Sequence, residues 1–298
     1  SSGCPCQGYF DKRVAARNFM TVSFFLVSNM NDRFNTPWRR MSTAIYTAPS
    51  DGKVFGTMEV DITAAERYIQ EQRTKGSHIT ITHVVVAAIA RAVALDAPEI
   101  NGFVRRGNVI PRDYVDVSVA VNIKTGLEMA YMVVRNADRK TVHEIGEEIR
   151  TKSAAQRQRE RSKTMSSKNL LASIPWPFRR LLFRLIRWIV NELGIELKSF
   201  GLADRTFGSV LVTNIGSHGL TTAYPALFPA AKLPAVVAMG KIEEKPVVRD
   251  GEIVIRSILP LSGTFDHRIV DGNQVSKVAR GVIARLALPD ELETVPSE

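Results

Sequence analysis

The sequence predicts an α/β protein, a two-layer sandwich of helices on one mixed β-sheet. Strand-like and helix-like patterns alternate along the chain, which sets helices against a sheet. One stretch, Val84 to Leu95, is almost uniformly apolar and Ala-rich, and a helix apolar all round is a buried one. Consecutive antiparallel signals gather near the C-terminus around the turn Asp250-Gly251. At 298 residues, 45% hydrophobic and 23% charged, the chain has the balance of a soluble globular protein and the length to bury a substantial core.

Residues 1–38 read as an arm, either a strand or a docking segment. Phe24-Phe25-Leu26-Val27 is too short to span a bilayer, and no cleavage region follows it as a signal peptide would require. Val54 to Asp61 alternates as a strand. Thr63, with Glu66 three residues on, predicts a capped helix through Thr74. A second helix follows Thr80, with His83 on its first turn, where a satisfied half-buried histidine is the ordinary expectation. Asn101 to Pro111 predicts a hairpin with Arg105-Arg106-Gly107-Asn108 at its tip. Val115 to Ile123 alternates apolar with small polar residues, and Lys124-Thr125-Gly126 turns it into Met129 to Val134. Thr141 caps a helix through Gln158, with Glu144 completing the box. Gly208 to Thr213 is a strand running into Asn214-Ile215-Gly216-Ser217-His218-Gly219, where His218 reads as an incidental loop residue. Ala235 to Ile242 and Ile253 to Leu261 complete the strands, and Gly272 to Leu286 closes the chain as a helix.

The net charge of +10 is placed on one side of the sequence. Between Arg150 and Arg187 stand eleven Lys and Arg against the single acid Glu160, the whole excess. One basic surface follows, and a general nucleic-acid binder is excluded as the leading reading. Within that region Phe178 to Leu193 predicts a helix with Arg180, Arg184, Arg187 and Asn191 at helical spacing and a wide apolar arc around the rest. Such a helix suits a membrane surface, or packs on the protein's own surface or a neighbouring subunit. The two cysteines, Cys4 and Cys6, lack the further ligands a structural zinc needs, so no metal site is expected, and with no disulfide framework a reducing cytoplasm fits.

The chemistry-bearing stretch is Leu261-Ser262-Gly263-Thr264-Phe265-Asp266-His267-Arg268-Ile269-Val270-Asp271-Gly272. An imidazole titrates near neutrality and can take a proton from a thiol or hydroxyl once its ring is oriented. Asp266 and Asp271 are both close enough in sequence to build structure around His267. An isolated His-x-x-x-Asp is more often a polar turn after a strand. The apolar strand before it and the glycine after it favour the positioned base.

Asp-His-Arg-Ile-Val-Asp-Gly resembles the active-site signature of the acyltransferase component of 2-oxo acid dehydrogenase complexes, whose catalytic domain is similar to chloramphenicol acetyltransferase. Val60-Asp61-Ile62-Thr63, Asp116 to Val121, Val133 to Asp138, Val212 to Gly216 and Pro246 to Glu252 resemble further family segments in the family's order, so the resemblance runs from about Arg39 to Leu288. It implies the chloramphenicol acetyltransferase-like fold of coenzyme A-dependent acyltransferases, built as a homotrimer with active sites between subunits. His267 is then the general base, Thr213 the hydroxyl on the oxyanion, and Asp271 the residue that supports the histidine. Asn214, Ser262 and Asp266 would line the substrate, and Arg67 is the candidate partner of Asp271.

The resemblance further implies residues 39–298 as the catalytic domain, with a basic amphipathic insertion at about 162–205 that the family lacks. The usual proline before the paired valines is replaced by Glu128-Met129-Ala130-Tyr131-Met132. No lipoyl-type turn or Ala/Pro linker is found, so a lipoyl group would come from another polypeptide, or coenzyme A thioesters would serve another acceptor. Coenzyme A is expected as substrate and no cofactor as a resident. A cytoplasmic protein, in one version peripheral to a membrane, is expected. The rival expectation is a non-catalytic trimeric scaffold presenting the basic helix to a membrane or partner protein. The acidic, sparsely apolar Pro289 to Glu298 is expected to stop assembly at the trimer.

Overall fold

The computed structural model describes residues 52–124, 128–162, 176–195, 205, 207–228 and 231–295, so the arm 1–38 and the two cysteines lie outside the described residues. The first element among the described residues is β1 (Lys53–Asp61), followed by α1 (Thr63–Thr74) and α2 (Ile81–Arg91), which runs on through a wider turn, Ala92–Asp96. Next come the hairpin β2 (Gly102–Arg105) and β3 (Asn108–Pro111), then β4 (Val117–Lys124), β5 (Glu128–Val134) and α3 (Val142–Ser162). The remainder is α4 (Trp176–Trp188), β6 (Val210–Asn214), β7 (Ala235–Met239), β8 (Glu243–Arg249), β9 (Glu252–Asp266) and α5 (Gly272–Ala287).

The sheet is mixed, in the order β1-β9-β7-β6-β4-β5, with β8 paired to the free half of β9. β4, β6 and β7 run parallel, and the other pairs are antiparallel. β9 is the spine: its fifteen residues pair with β8 over Glu252–Ile258, with β1 over Ile258–Asp266 and with β7 over Leu261–Phe265. Its extension past Leu261 to Asp266 exceeds the sequence expectation, because Ser262, Gly263 and Thr264 lack the bulk that marks a strand yet find partners on both edges. β8 is likewise absent from the sequence expectation, since Glu243-Glu244-Lys245-Pro246 has the composition of a loop and only pairing along β9 makes it a strand.

Helices α1, α2, α3 and α5 cover one face of the sheet and share one core with Val60, Val117, Val119, Val210, Val212, Leu259 and Leu261. α2 is buried as its composition requires: Val84, Val85, Val86, Ala87 and Ala88 are fully enclosed. Each valine so buried contributes about 1.5–3 kcal/mol. The α1 cap differs from expectation. Asp61, not Thr63, holds the helix start: its Oδ1 accepts from Thr63 N at 3.1 Å and Thr63 Oγ1 at 2.7 Å. The carboxylate takes the first orphan amide, Thr63 N, while Glu66 N donates to Ile62 O at 2.9 Å, so the threonine caps none. Thr141 and Glu144 do form the predicted box, with Thr141 N donating to Glu144 at 2.8 Å and Glu144 N to Thr141 Oγ1 at 3.1 Å.

The opposite face of the sheet carries a smaller apolar cluster, Leu227, Ala231 and Leu233 over Val236. The start of β6 beside β4 is fixed by Asp116, whose enclosed carboxylate takes Arg135 at 2.6 Å, Arg205 at 2.9 Å and Asn136 N at 2.8 Å. Burial alone would raise its pKa, but the Arg205 hydrogen bond, Asn136 N–H and Arg135 outweigh it and hold the carboxyl below its ordinary value. Gly208, at φ +73 and with Asp116 O 2.5 Å from where a Cβ would stand, is the residue that permits this approach.

Candidate active site

β9 delivers the chain to Asp266, and a tight turn follows. Asp266 O accepts from Ile269 N at 2.9 Å and Val270 N at 3.0 Å. The Asp266 carboxylate is clasped by Arg268, with Nη2 at 2.6 Å and Nε at 2.9 Å, so it braces the turn. His267 N donates to Gly52 O at 2.6 Å. Asp271 then starts α5: its N–H donates to Gln274 Oε1 at 3.0 Å, and its carbonyl accepts from Val275 N at 3.2 Å. Turn and cap together bring Asp271 Oδ1 to 3.2 Å from His267 Nδ1, with side chains 28% and 30% exposed. A carboxylate facing Nδ1 sets both the tautomer and the orientation of an imidazole.

Thr213 stands elsewhere. Strand register puts Ala120, Thr213, Ala238, Ser262 and Thr57 in one row across the sheet. Thr213 is buried near the C-terminal end of β6. His267 follows the opposite end of β9, five positions beyond Ser262. At about 3.3 Å per residue and 4.8 Å between strands, two strands apart, Thr213 and His267 of one chain are separated by roughly 19 Å. One copy therefore does not bring His267 to the Thr213 hydroxyl.

Asn214, next to Thr213, points to the helical layer. Its Nδ2 donates to Thr82 Oγ1 at 3.4 Å and its Oδ1 accepts from Ser217 N at 3.2 Å. It lines a cleft of about 240 Å³ with Thr80, Thr82, His83, Ser217 and His218. His83 and His218, both incidental by sequence, thus share a cleft with Asn214. A pairing of residues 135 positions apart leaves no local signal. Burial pushes the His83 imidazole down to about 4, against a weaker opposing pull from Glu147, so it is neutral at pH 7.

Three expected site residues have other occupations. Ser262 Oγ donates to Ala223 O at 2.7 Å and accepts from Ala223 N at 3.3 Å, so it anchors a loop. Asp266 is the partner of Arg268. Arg67 donates to Thr63 O at 3.4 Å and shares a cleft with Ile283 and Ala287, near the far end of α5. Ile283 is twelve helical residues from Asp271, roughly 18 Å along the axis. Arg67 and Asp271 of one chain are not partners, because the helix that Asp271 opens carries them apart. Among the described residues no group of three or more His, Cys, Asp or Glu side chains could hold a metal ion.

Residues 30–169 and 196–293 match the family of 2-oxoacid dehydrogenases acyltransferase (catalytic domain). The chain belongs to this family. The unmatched stretch between the two segments, 170–195, contains α4 and lies inside the insertion expected at 162–205. A curated relative, the dihydrolipoyllysine-residue acetyltransferase component of the pyruvate dehydrogenase complex of Bacillus subtilis (strain 168), is 29% identical over 223 residues, 72% of this chain and 40% of the relative. The chain thus spans about two fifths of that protein's length. Among solved structures, the Azotobacter vinelandii dihydrolipoamide acetyltransferase aligns with 86% of this chain and 88% of its own, at 18% identity and a TM-score of 0.58. A chloramphenicol acetyltransferase aligns with 86% of this chain and 97% of its own, at 16% identity and a TM-score of 0.51. These likenesses place the family member's fold with the coenzyme A-dependent acyltransferases.

Proposed function

We propose that this chain is an acyltransferase that exchanges an acyl group between a coenzyme A thioester and a thiol, that of a dihydrolipoyl group. The observation that carries the reading is the His267–Asp271 pair at 3.2 Å on the family signature. With Nδ1 facing Asp271, Nε2 takes the proton of the attacking thiol. The thiolate adds to the thioester carbonyl, and the oxyanion so formed accepts a hydrogen bond from a Thr213 hydroxyl. Collapse breaks the carbon–sulfur bond, and the departing thiolate recovers the proton from His267. A donor aimed at the oxyanion is worth about 2.7–4 kcal/mol. In the Azotobacter vinelandii dihydrolipoamide acetyltransferase, the residues studied for their role in the catalytic mechanism are a serine, a histidine and, four residues after the histidine, an asparagine. Thr213, His267 and Asp271 are assigned the corresponding places here.

The roughly 19 Å between His267 and Thr213 within a chain supports a homotrimer whose sites lie between copies, each taking its base from one and its oxyanion donor from the next. A non-catalytic scaffold would have no need of an oriented imidazole. The test is thioester exchange between acetyl-coenzyme A and dihydrolipoamide. Wild type should exchange, and His267→Ala should lose exchange while keeping its sedimentation coefficient, since a turn histidine adds little to the core. Equal rates in the two proteins would overturn the reading.

A second feature favours an anionic lipid surface as a further contact. α4 exposes Phe178, Leu181, Leu185 and Trp188, a row at helical spacing, while Val190 just beyond is buried. Arg106 ties the far end down, its N donating to Glu192 Oε2 at 3.2 Å and its Nε to Glu192 O at 2.9 Å. Residues 161–191 hold seven Lys and Arg and no acid. The exposed Arg184 and the basic sequence around it suit anionic headgroups and would repel a like surface on a second copy. No described helix is long and apolar enough to cross a membrane.

A further inference from the structure

The sheet and helices α2 and α5 do not close completely on one another. Between them lies a cavity of about 130 Å³, lined from the sheet by Gly56, Met58, Leu261 and Phe265 and from the helices chiefly by Ile89 and Ala279. Two polar residues also border it, Thr57 and Ser262. Both turn their hydroxyls to the other face of the sheet, Thr57 to Tyr224 at 2.8 Å and Ser262 to Ala223 at 2.7 Å. The interior is therefore apolar, and an apolar space of this size does not hold water well.

Two glycines make the room. Gly56 and Gly263 face each other in the β1–β9 register. A Cβ on Gly263 would stand 2.8 Å from Cζ of Phe265, so the ring can lie across that position only because glycine is there. Exposure varies along the lining. Ile89, Leu261 and Val282 are at most 2% exposed and form the floor. Phe265 and Ala279 are partly exposed and form a mouth; Met58, opposite Leu261, is partly exposed as well. That mouth is at the catalytic end. Phe265 stands two residues before His267, next to the end of β9 at Asp266, and α5, which bears Ala279, begins after Asp271.

We propose that this cavity receives the acyl chain of the thioester. The assignment rests on the acyl-transfer reading above and gives it a substrate class. An apolar cavity of about 150 Å³ accommodates a benzene ring, so this one takes a linear chain of about four to six carbons. The carbonyl stays at His267 while the methylenes lie between the layers, against the apolar lining.

Wild type, Ala279→Leu and Gly56→Ala would be compared with acetyl-, butyryl- and hexanoyl-coenzyme A and dihydrolipoamide. Burial of each methylene should raise kcat/KM by up to about fourfold in wild type. Ala279→Leu, which fills the mouth, should lower the hexanoyl-to-acetyl ratio of kcat/KM at least about tenfold. Gly56→Ala should lower it less, since its Cβ would sit 3.6 Å from the Phe265 ring, an ordinary contact; it carries the test if the leucine variant does not fold. A wild-type profile that is flat or falls beyond acetyl, or variants that slow all three thioesters alike, would overturn the proposal. If no thioester reacts, the acyl-transfer reading fails by itself, and melting temperatures with free and hexanoyl-coenzyme A decide the cavity. A larger shift with hexanoyl that Ala279→Leu removes would uphold it, and equal shifts would reject it.

Discussion

Mixing two inactive variants is the sharpest test of a site shared between copies. Thr213→Ala removes the oxyanion donor and should lower kcat about 100–1000-fold, while His267→Ala removes the base. Both changes spare the turn contacts of Asp266 and the register of β6. The two variants would be co-expressed with different tags and purified on both, so that every trimer contains each. In a cyclic trimer each site joins one copy's His267 to the next copy's Thr213. Whichever variant is in the majority, one interface of the three then joins an intact histidine to an intact threonine, and about one third of wild-type activity should return. The separation within one chain, roughly 19 Å from register and strand rise, is what requires this result. Activity of the mixed trimers no higher than that of either parent would refute the shared site. Full activity in either parent would refute the roles of the residues themselves.

Asp271 has two tasks that substitution can separate. Asp271→Asn keeps a capping side chain and an oxygen for His267 Nδ1, so stability should hold and the rate should stay within about tenfold; Asp271→Ala should cost about 1 kcal/mol in denaturant unfolding and lower kcat further. His83 is held to about 4 when folded, against about 6.5 unfolded. The unfolded chain therefore binds the proton more tightly, and stability falls as pH drops through that interval. Between pH 7 and 4.5 wild type should lose about 2 kcal/mol more than His83→Gln, and parallel stability–pH curves would refute this. Leu181→Glu with Leu185→Glu should abolish co-sedimentation with vesicles containing phosphatidylserine and leave folding within about 0.5 kcal/mol, because both residues are exposed. Vesicle binding equal to wild type would remove the lipid reading.

The fold class, the buried α2 and the His267–Asp271 pair are legible in the amino-acid order alone. Each is a local matter: an all-apolar run can only be interior, and His267 and Asp271 are joined by one turn and one cap, so their 3.2 Å contact follows from four residues of spacing. The Asp116 clasp shows in the sequence only as a family segment, since its partners Arg135 and Arg205 lie 19 and 89 positions away. Other features come from the packed chain. Asp266 and Ser262 look like site residues in the sequence, yet pairing commits one to Arg268 and the other to Ala223. Arg67 matches Asp271 by motif, and the length of α5 separates them. The strand β8 and the last third of β9 exist because of hydrogen bonds to neighbours, which no composition announces. The cavity beside the catalytic turn is a property of two layers meeting over paired glycines, and the distance from His267 to Thr213 is a property of sheet register. Both depend on contacts between residues far apart in the chain, and a sequence carries local preference more plainly than it carries distance.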